Sequence, residues 1–349
     1  MNELLIGLVG ALVATNQPLA VSNLIQQNAG VSVSIPNPND PAEKELRQLM
    51  VEDDDVLDEV DKWIRDNNAF AALGAGESRE ASNQRIRARL EEVRKKYQDF
   101  LQRYPDFARG HLAYGTFLND INEEEAAGNE FKKAAELDPK NPGAWNNLAN
   151  YYGEFSPVTN AFADYARAIE LDPTEPVYYH NLAITVYLYR KDAMSFYGIN
   201  EQQVFDKALA LYREAIRLDP DDLPLATDYA ECYYGIRPLR TKDALAAWTN
   251  ALRAAHNEAE REGIYIHLAR IKIAAGLFDE ARVHLAAVTN SIYAGLRDRL
   301  ERNLAEHENA ATNTNTAGLL ITTNAAPANS AIAPANTAAV STNVPPRAP

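Results

Sequence analysis

Ala108–Asn141 reads ARGHLAYGTFLNDINEEEAAGNEFKKAAELDPKN, and the stretch that follows it, Pro142–Glu175, reads PGAWNNLANYYGEFSPVTNAFADYARAIELDPTE. Laid one over the other, Gly115 meets Ala149, Ala127 meets Ala161, Phe131 meets Tyr165, Ala134 meets Ala168 and Pro139 meets Pro173. The beat reaches upstream to Tyr97 and Pro105. A fixed period of this length marks a helical solenoid, in which each unit is a pair of helices that cannot bury its apolar face alone. The small residues let antiparallel helices approach to roughly 8–10 Å. The large ones fill the seams between units, each stabilising by roughly 1.5–3 kcal/mol when buried. Asp138-Pro139, Asp172-Pro173 and Asp219-Pro220 end the second helix of a unit, because proline lacks the amide donor and disfavours a helical residue before it.

The marked set (Tyr114, Gly115, Leu118, Ala127, Phe131, Ala134 and Pro139, then Trp145, Leu148, Ala149, Tyr152, Ala161, Tyr165, Ala168 and Pro173) resembles the tetratricopeptide repeat. The resemblance implies an all-α, right-handed α-solenoid of antiparallel helix pairs. A third unit, Pro176–Asp222, repeats Tyr179, Leu182, Ala183, Val186, Ala208, Tyr212, Ala215 and Pro220, with an insertion at Arg190–Asn200. A fourth follows through Tyr229, Ala230, Tyr233, Ala244, Trp248 and Ala251, and a fifth through Tyr265, Leu268, Ala269, Gly276, Phe278, Ala281, Leu285 and Val288. The fourth departs from the pattern, with Ala226 where a bulky residue is usual and His256 where the terminal proline would fall. The array is placed at residues 108–291, and Trp145 is read as a buried seam residue.

Around the array, residues 41–107 are expected to form a helical lead-in holding a degenerate unit (Val93, Tyr97, Phe100, Pro105). Its helices are placed at Ala42–Met50 and Val56–Asn67, with Glu52–Asp55 capping or preceding the second, where negative charge suits exposed amides. Residues 292–308 read as a capping helix with an apolar stripe at Ile292, Leu296, Leu300 and Leu304, and 309–349, rich in Ala, Asn, Thr and Pro, as a disordered tail. Residues 1–40 combine an apolar segment and a linker. Leu4–Ala14 has the length of a secretory signal core and is too short to span a bilayer. Two readings stand: export or membrane association through residues 4–25, or a helix of the mature protein. The balance favours export or the cell envelope over the cytoplasm.

Thirty-four Lys and Arg against 49 Asp and Glu give a net charge of −15, which argues against nucleic acid as a partner. The short basic run Arg85, Arg87, Arg89, Arg94, Lys95 and Lys96 is interrupted by Glu91 and Glu92 and reads as a solvated helix face, with a patch for an acidic partner as the alternative. The six histidines never take the His-Glu-x-x-His spacing, His111 sits at a packing position, and the lone Cys232 has no basic neighbour to activate it. Gly74–Glu77 lacks the Gly-Lys-Ser/Thr of a phosphate loop. No catalytic residue, metal site or cofactor is expected, and the chain is read as a non-enzyme.

In tetratricopeptide arrays the first helix of each unit lines a concave groove, as the resemblance implies. The matching positions here are Asn146, Asn147, Asn150 and Glu154 in one unit and His180, Asn181 and Ile184 in the next. Side-chain amides at this spacing can donate to and accept from an extended peptide backbone. They read either as a short asparagine ladder or as solvated polar residues on the groove wall. The Lys and Arg of a terminal-carboxylate clamp are missing, since Asn146, Pro224 and Asp228 stand at those places. An acidic groove favours basic or neutral peptides. Phe196 and Tyr197 in the insertion are a second candidate contact, or fold back over the helix of Tyr187 and Tyr189. The expected function is that of a bacterial-type scaffold binding an extended peptide or partner protein. The alternative is an envelope-tethered, self-assembling component.

Overall fold

A computed structural model describes residues 40–155 and 157–323, with side chains through residue 309 apart from Glu154. The expectations for the apolar N-terminal segment and its linker therefore lie outside the described residues. Asp40 opens the first helix, its carboxylate accepting from the Ala42 amide at 2.9 Å, with Pro41 in the first turn, where a missing donor costs nothing. Helix α1 then runs unbroken over Pro41–Ala72. The expected break at Glu52–Asp55 does not occur. Leu46, Leu49, Asp53, Val56 and Val60 form one buried stripe at alternating spacings of three and four, and the other three acids of the run lie off it. Asp53 is tolerated inside because the Tyr97 hydroxyl donates to it from α2 (Arg79–Arg103). α1 and α2 together make the leading unit, and Glu43, almost fully buried, pairs with Arg109 on α3 to fasten it to the array.

The array is built from α3 (Ala108–Asp120) with α4 (Glu124–Leu137), α5 (Pro142–Phe155) with α6 (Val158–Leu171), and α7 (Pro176–Leu188) with α9 (Glu201–Leu218). It continues with α10 (Leu223–Glu231) and α11 (Thr241–Ala254), then α12 (Glu258–Ala274) and α13 (Phe278–Ala286). Asp138, Asp172 and Asp219 are the C-caps of α4, α6 and α9, where the Asp-Pro pairs predict them. Helix pairs close tightly where small residues meet large ones: a Cβ on Gly115 would lie 2.6 Å from the Phe131 ring. Phe131, Tyr165, Tyr212 and Trp248 hold one place in the second helix of successive units, and all are buried.

A second device recurs in the turns. His111 Nε2, Trp145 Nε1 and Tyr179 Oη each stand six residues beyond a proline and donate to its carbonyl, at 2.8 Å to Pro105, 3.0 Å to Pro139 and 3.2 Å to Pro173. Trp145 is consequently half-exposed, its ring laid over the turn, and not the buried seam residue the sequence suggests.

The insertion folds as α8 (Arg190–Tyr197), closed by Gly198 in the left-handed conformation (φ 65°). Asn200 starts α9 with a reciprocal capping box to Gln203. Past the fifth unit, Glu262 accepts from the Thr289 and Asn290 amides and the Thr289 hydroxyl at 2.6–2.9 Å, pinning the chain before α14 (Ala294–Thr323). Leu300 and Leu304 cover the last unit, while Leu296 remains exposed and Ile292 falls in a 3-10 turn, Ser291–Tyr293, before the helix begins. α14 continues 15 residues beyond the expected boundary at 308. No proline interrupts residues 309–323. The rest of the expected tail lies outside the described residues. No helix among the described residues is long and apolar enough to cross a membrane.

Candidate functional site

The first helices of neighbouring units share one face, and their polar side chains are joined across it. Asn181 Nδ2 on α7 donates to Asn146 Oδ1 on α5 at 3.0 Å, and Asn146 Nδ2 donates to Asn147 Oδ1 at 3.2 Å. Asn147 Nδ2 in turn donates to Thr116 Oγ1 on α3 at 3.5 Å. The Thr116 hydroxyl donates to the Leu112 carbonyl at 3.2 Å, so this amide track has a fixed direction from α7 to α3. A buried amide without a partner would cost about 1–3 kcal/mol, and the track spares each of these groups that cost.

The track differs from a row of solvated asparagines. Asn146 is 1% exposed and Asn147 6%, whereas Asn150 and Asn181 are half-buried and open to one side. Asn150 Oδ1 accepts from the Tyr165 hydroxyl at 2.6 Å, which fixes which edge of its amide faces outward. Asn181 meets Asn146 and not Asn147, the residue one period before it.

His180 Nε2 lies 2.9 Å from Asp228 Oδ2 on α10, and its ring leans on Tyr212 with centroids 5.6 Å apart. Glu231 follows one turn on. Burial, then the neighbouring Asp228, pushes its carboxyl up to about 6, while Arg270 opposes the rise. On α12, His267 stacks on Trp248 at 4.0 Å and accepts from the Tyr234 hydroxyl at Nδ1, 2.9 Å away. Burial and Arg270 hold His267 down to about 4, so it is a neutral acceptor at ordinary pH. The face thus runs from the Thr116 hydroxyl on α3 and amides on α5 and α7 to carboxylates on α10.

Phe196 and Tyr197 are not part of this face. They pack on α6, with ring centroids 5.4 and 5.6 Å from Phe162, and the Lys207 ammonium sits 4.2 Å over the Tyr197 ring. Phe196 keeps 43% of its surface exposed. Glu154's side chain lies outside the described residues. Thr116, the track's last member, stands one period before Asn150, so the repeat alignment itself marks it. The basic run is largely occupied: Arg89 binds Glu59 and Glu92 and Lys96 binds Glu52 within its own helix pair, and Arg94 binds Glu91 and, at the start of α4, Glu123. Cys232 is 3% exposed and burial drives its thiol far up, which leaves it unreactive.

The sequence profile of the tetratricopeptide repeat matches residues 130–156, the second helix of one unit and the first of the next. No curated protein matches the sequence. Among solved structures, YrrB, described as a tetratricopeptide-repeat protein with an unusual peptide-binding site, is similar at 14% identity and a TM-score of 0.46 over 59% of this chain and 97% of its own. PilW, described as a widely conserved type IV pilus biogenesis factor, is similar at 15% identity and a TM-score of 0.47, over 61% and 91%. PilF of Pseudomonas aeruginosa is similar at 15% and 0.45, over 71% and 99%.

Proposed function

We propose that the chain is a tetratricopeptide-repeat scaffold for protein interactions, whose first-helix face holds an extended segment of a partner. The role is one of binding and not of catalysis. One observation supports the reading: the amide track from Asn181 to Thr116 ends its helix-to-helix bonds inside the fold, while Asn181 at its head and Asn150 beside it, held by Tyr165, are only half-buried. A side-chain amide with one edge fixed and the other open can pair with both groups of a peptide bond, each bond contributing a net of roughly 0.5–1.5 kcal/mol. Asn146 sets the position of Asn181 and Tyr165 that of Asn150, while His180 is braced by Asp228. Asp228 and Glu231 favour a basic or neutral segment over an acidic one.

Peptide-display selection against the whole chain, followed by calorimetry of the selected sequences, tests this. In Asn150→Ala/Asn181→Ala, affinity for those peptides should fall about tenfold or more, two hydrogen bonds being lost; the melting temperature should also fall, because Asn146 and Tyr165 lose their partners, so affinities are compared at a temperature where both proteins are folded. Selected peptides that bind the double variant as well as the parent would place the site elsewhere.

A further inference from the structure

On the opposite face, where second helices α9 and α11 stand side by side, a cavity of about 390 Å³ opens over α10 and the 3-10 turn that follows it, Cys232–Gly235. Ala246 and Ala247 form part of its wall, so no large side chain fills it. Arg213 enters from α9 and Arg253 from α11. Neither has a carboxylate within 4.0 Å among the described residues, although acids outnumber bases in the chain and Arg217, one turn beyond Arg213, is bound by Glu214 at 2.6 Å. Arg253 donates only to the Asn250 amide oxygen, a neutral partner. Arg240, at the mouth, is already neutralised by Asp206 at 2.5 Å and bonded to Gln202.

The floor supplies a further donor. The hydroxyls of Tyr229 and Tyr233 lie 3.1 Å apart, so one donates to the other and a single O–H is left over. Burial keeps the Tyr233 phenol protonated, and Arg213 is near enough to act against that rise. Asp243 is the one acid on the lining. Two free guanidinium groups and a hydroxyl against one carboxylate leave room for a single added negative charge. They leave none for a polyanion, which the net charge of −15 would in any case repel. Arginine's planar fork matches a carboxylate through paired N–H bonds.

We infer that this cavity is a second recognition site, which takes a carboxylate side chain from an acidic peptide segment, with Arg213 and Arg253 pairing to it and the tyrosine pair donating the third hydrogen bond. The scaffold then presents two faces of opposite preference, basic or neutral on the first helices and acidic on the second.

The test is fluorescence anisotropy of a labelled, end-blocked hexapeptide carrying one Glu among Gly and Ser, titrated with the whole chain at low ionic strength. Saturable binding is expected, weakened about tenfold or more in Arg213→Gln/Arg253→Gln, since hydrogen bonds to charged groups are the stronger class. Both arginines are exposed, so the variant keeps its fold, which a thermal melt checks. Tyr229→Phe should weaken binding by a smaller factor, and Asn150→Ala/Asn181→Ala should leave it unchanged, which separates this site from the first-helix face. Absence of saturable binding, undiminished binding in the arginine variant, or equal displacement by the same concentration of inorganic phosphate would each overturn the assignment.

Discussion

The first three units and the last two hold their turns in different ways. His111, Trp145 and Tyr179 occupy one position of the repeat, and each clamps the carbonyl of the proline six residues before it. In the fourth unit that position is Ala226, which has no donor, and in the fifth it is Glu262, which accepts from the far side of its unit. The buried ring behind the clamp does not change: Phe131, Tyr165, Tyr212 and Trp248 are 3%, 3%, 2% and 1% exposed. Core and turn are therefore separate parts of the repeat. The core residue makes a unit stack, and the clamp sets how firmly the next unit is tied to it.

Trp248→Ala should show the largest effect, about 3–5 kcal/mol in chemical denaturation, because a fully buried indole leaves a cavity that also loses the His267 ring. A loss below that of a clamp residue would reverse the ranking of core over turn. Next comes Gly115→Ala, where the new methyl meets Phe131. Overpacking less the gain in helix propensity gives a net loss of about 1–2 kcal/mol, read from the same denaturation curves. Trp145→Phe removes the clamp's N–H and keeps most of its apolar surface, so the cost should be about 0.5–1.5 kcal/mol. If it matches Trp248→Ala, the clamp is part of the core after all.

The smallest effect separates one clamp from the others by pH. Burial lowers the pKa of His111, but its bonds to Glu130 and the Pro105 carbonyl outweigh this, and the net shift is upward. A raised folded-state value means stability that is present below the ordinary histidine range and lost as pH rises through the folded pKa. Neither Trp145 nor Tyr179 titrates there. His111→Phe should therefore reduce the fall in melting temperature between pH 6 and 8, whereas Trp145→Phe leaves that slope as it was. Asp53 and Asp120, both raised to about 7 by burial and neighbouring acids, add a loss of the same sign between about pH 4 and 7, which persists in His111→Phe and flattens in Asp53→Asn/Asp120→Asn.

The period itself could be read from Phe131, Tyr165 and the Asp-Pro pairs, because helix stops and seam-filling rings are local requirements of a stacked unit. Three features could not. Glu52–Asp55 looks like an interruption, and only the Tyr97 hydroxyl, 44 residues on, makes an inward Asp53 tolerable. Asn146 has the pattern of a groove residue, yet its burial depends on Asn181 arriving from the next unit with a matching amide. Trp145 has the size of a core residue, and what draws it outward is a carbonyl six residues earlier. In each case the deciding partner lies across a seam or a turn, where composition and periodicity say nothing about pairing.

The missing clamp at Ala226 has a mechanical side. Pulled from its two ends, the rod should part first between the third and fourth units, where Ala226 offers no donor to the Pro220 carbonyl. The amino-terminal portion would then stay together as one block under a load that has already opened the rest.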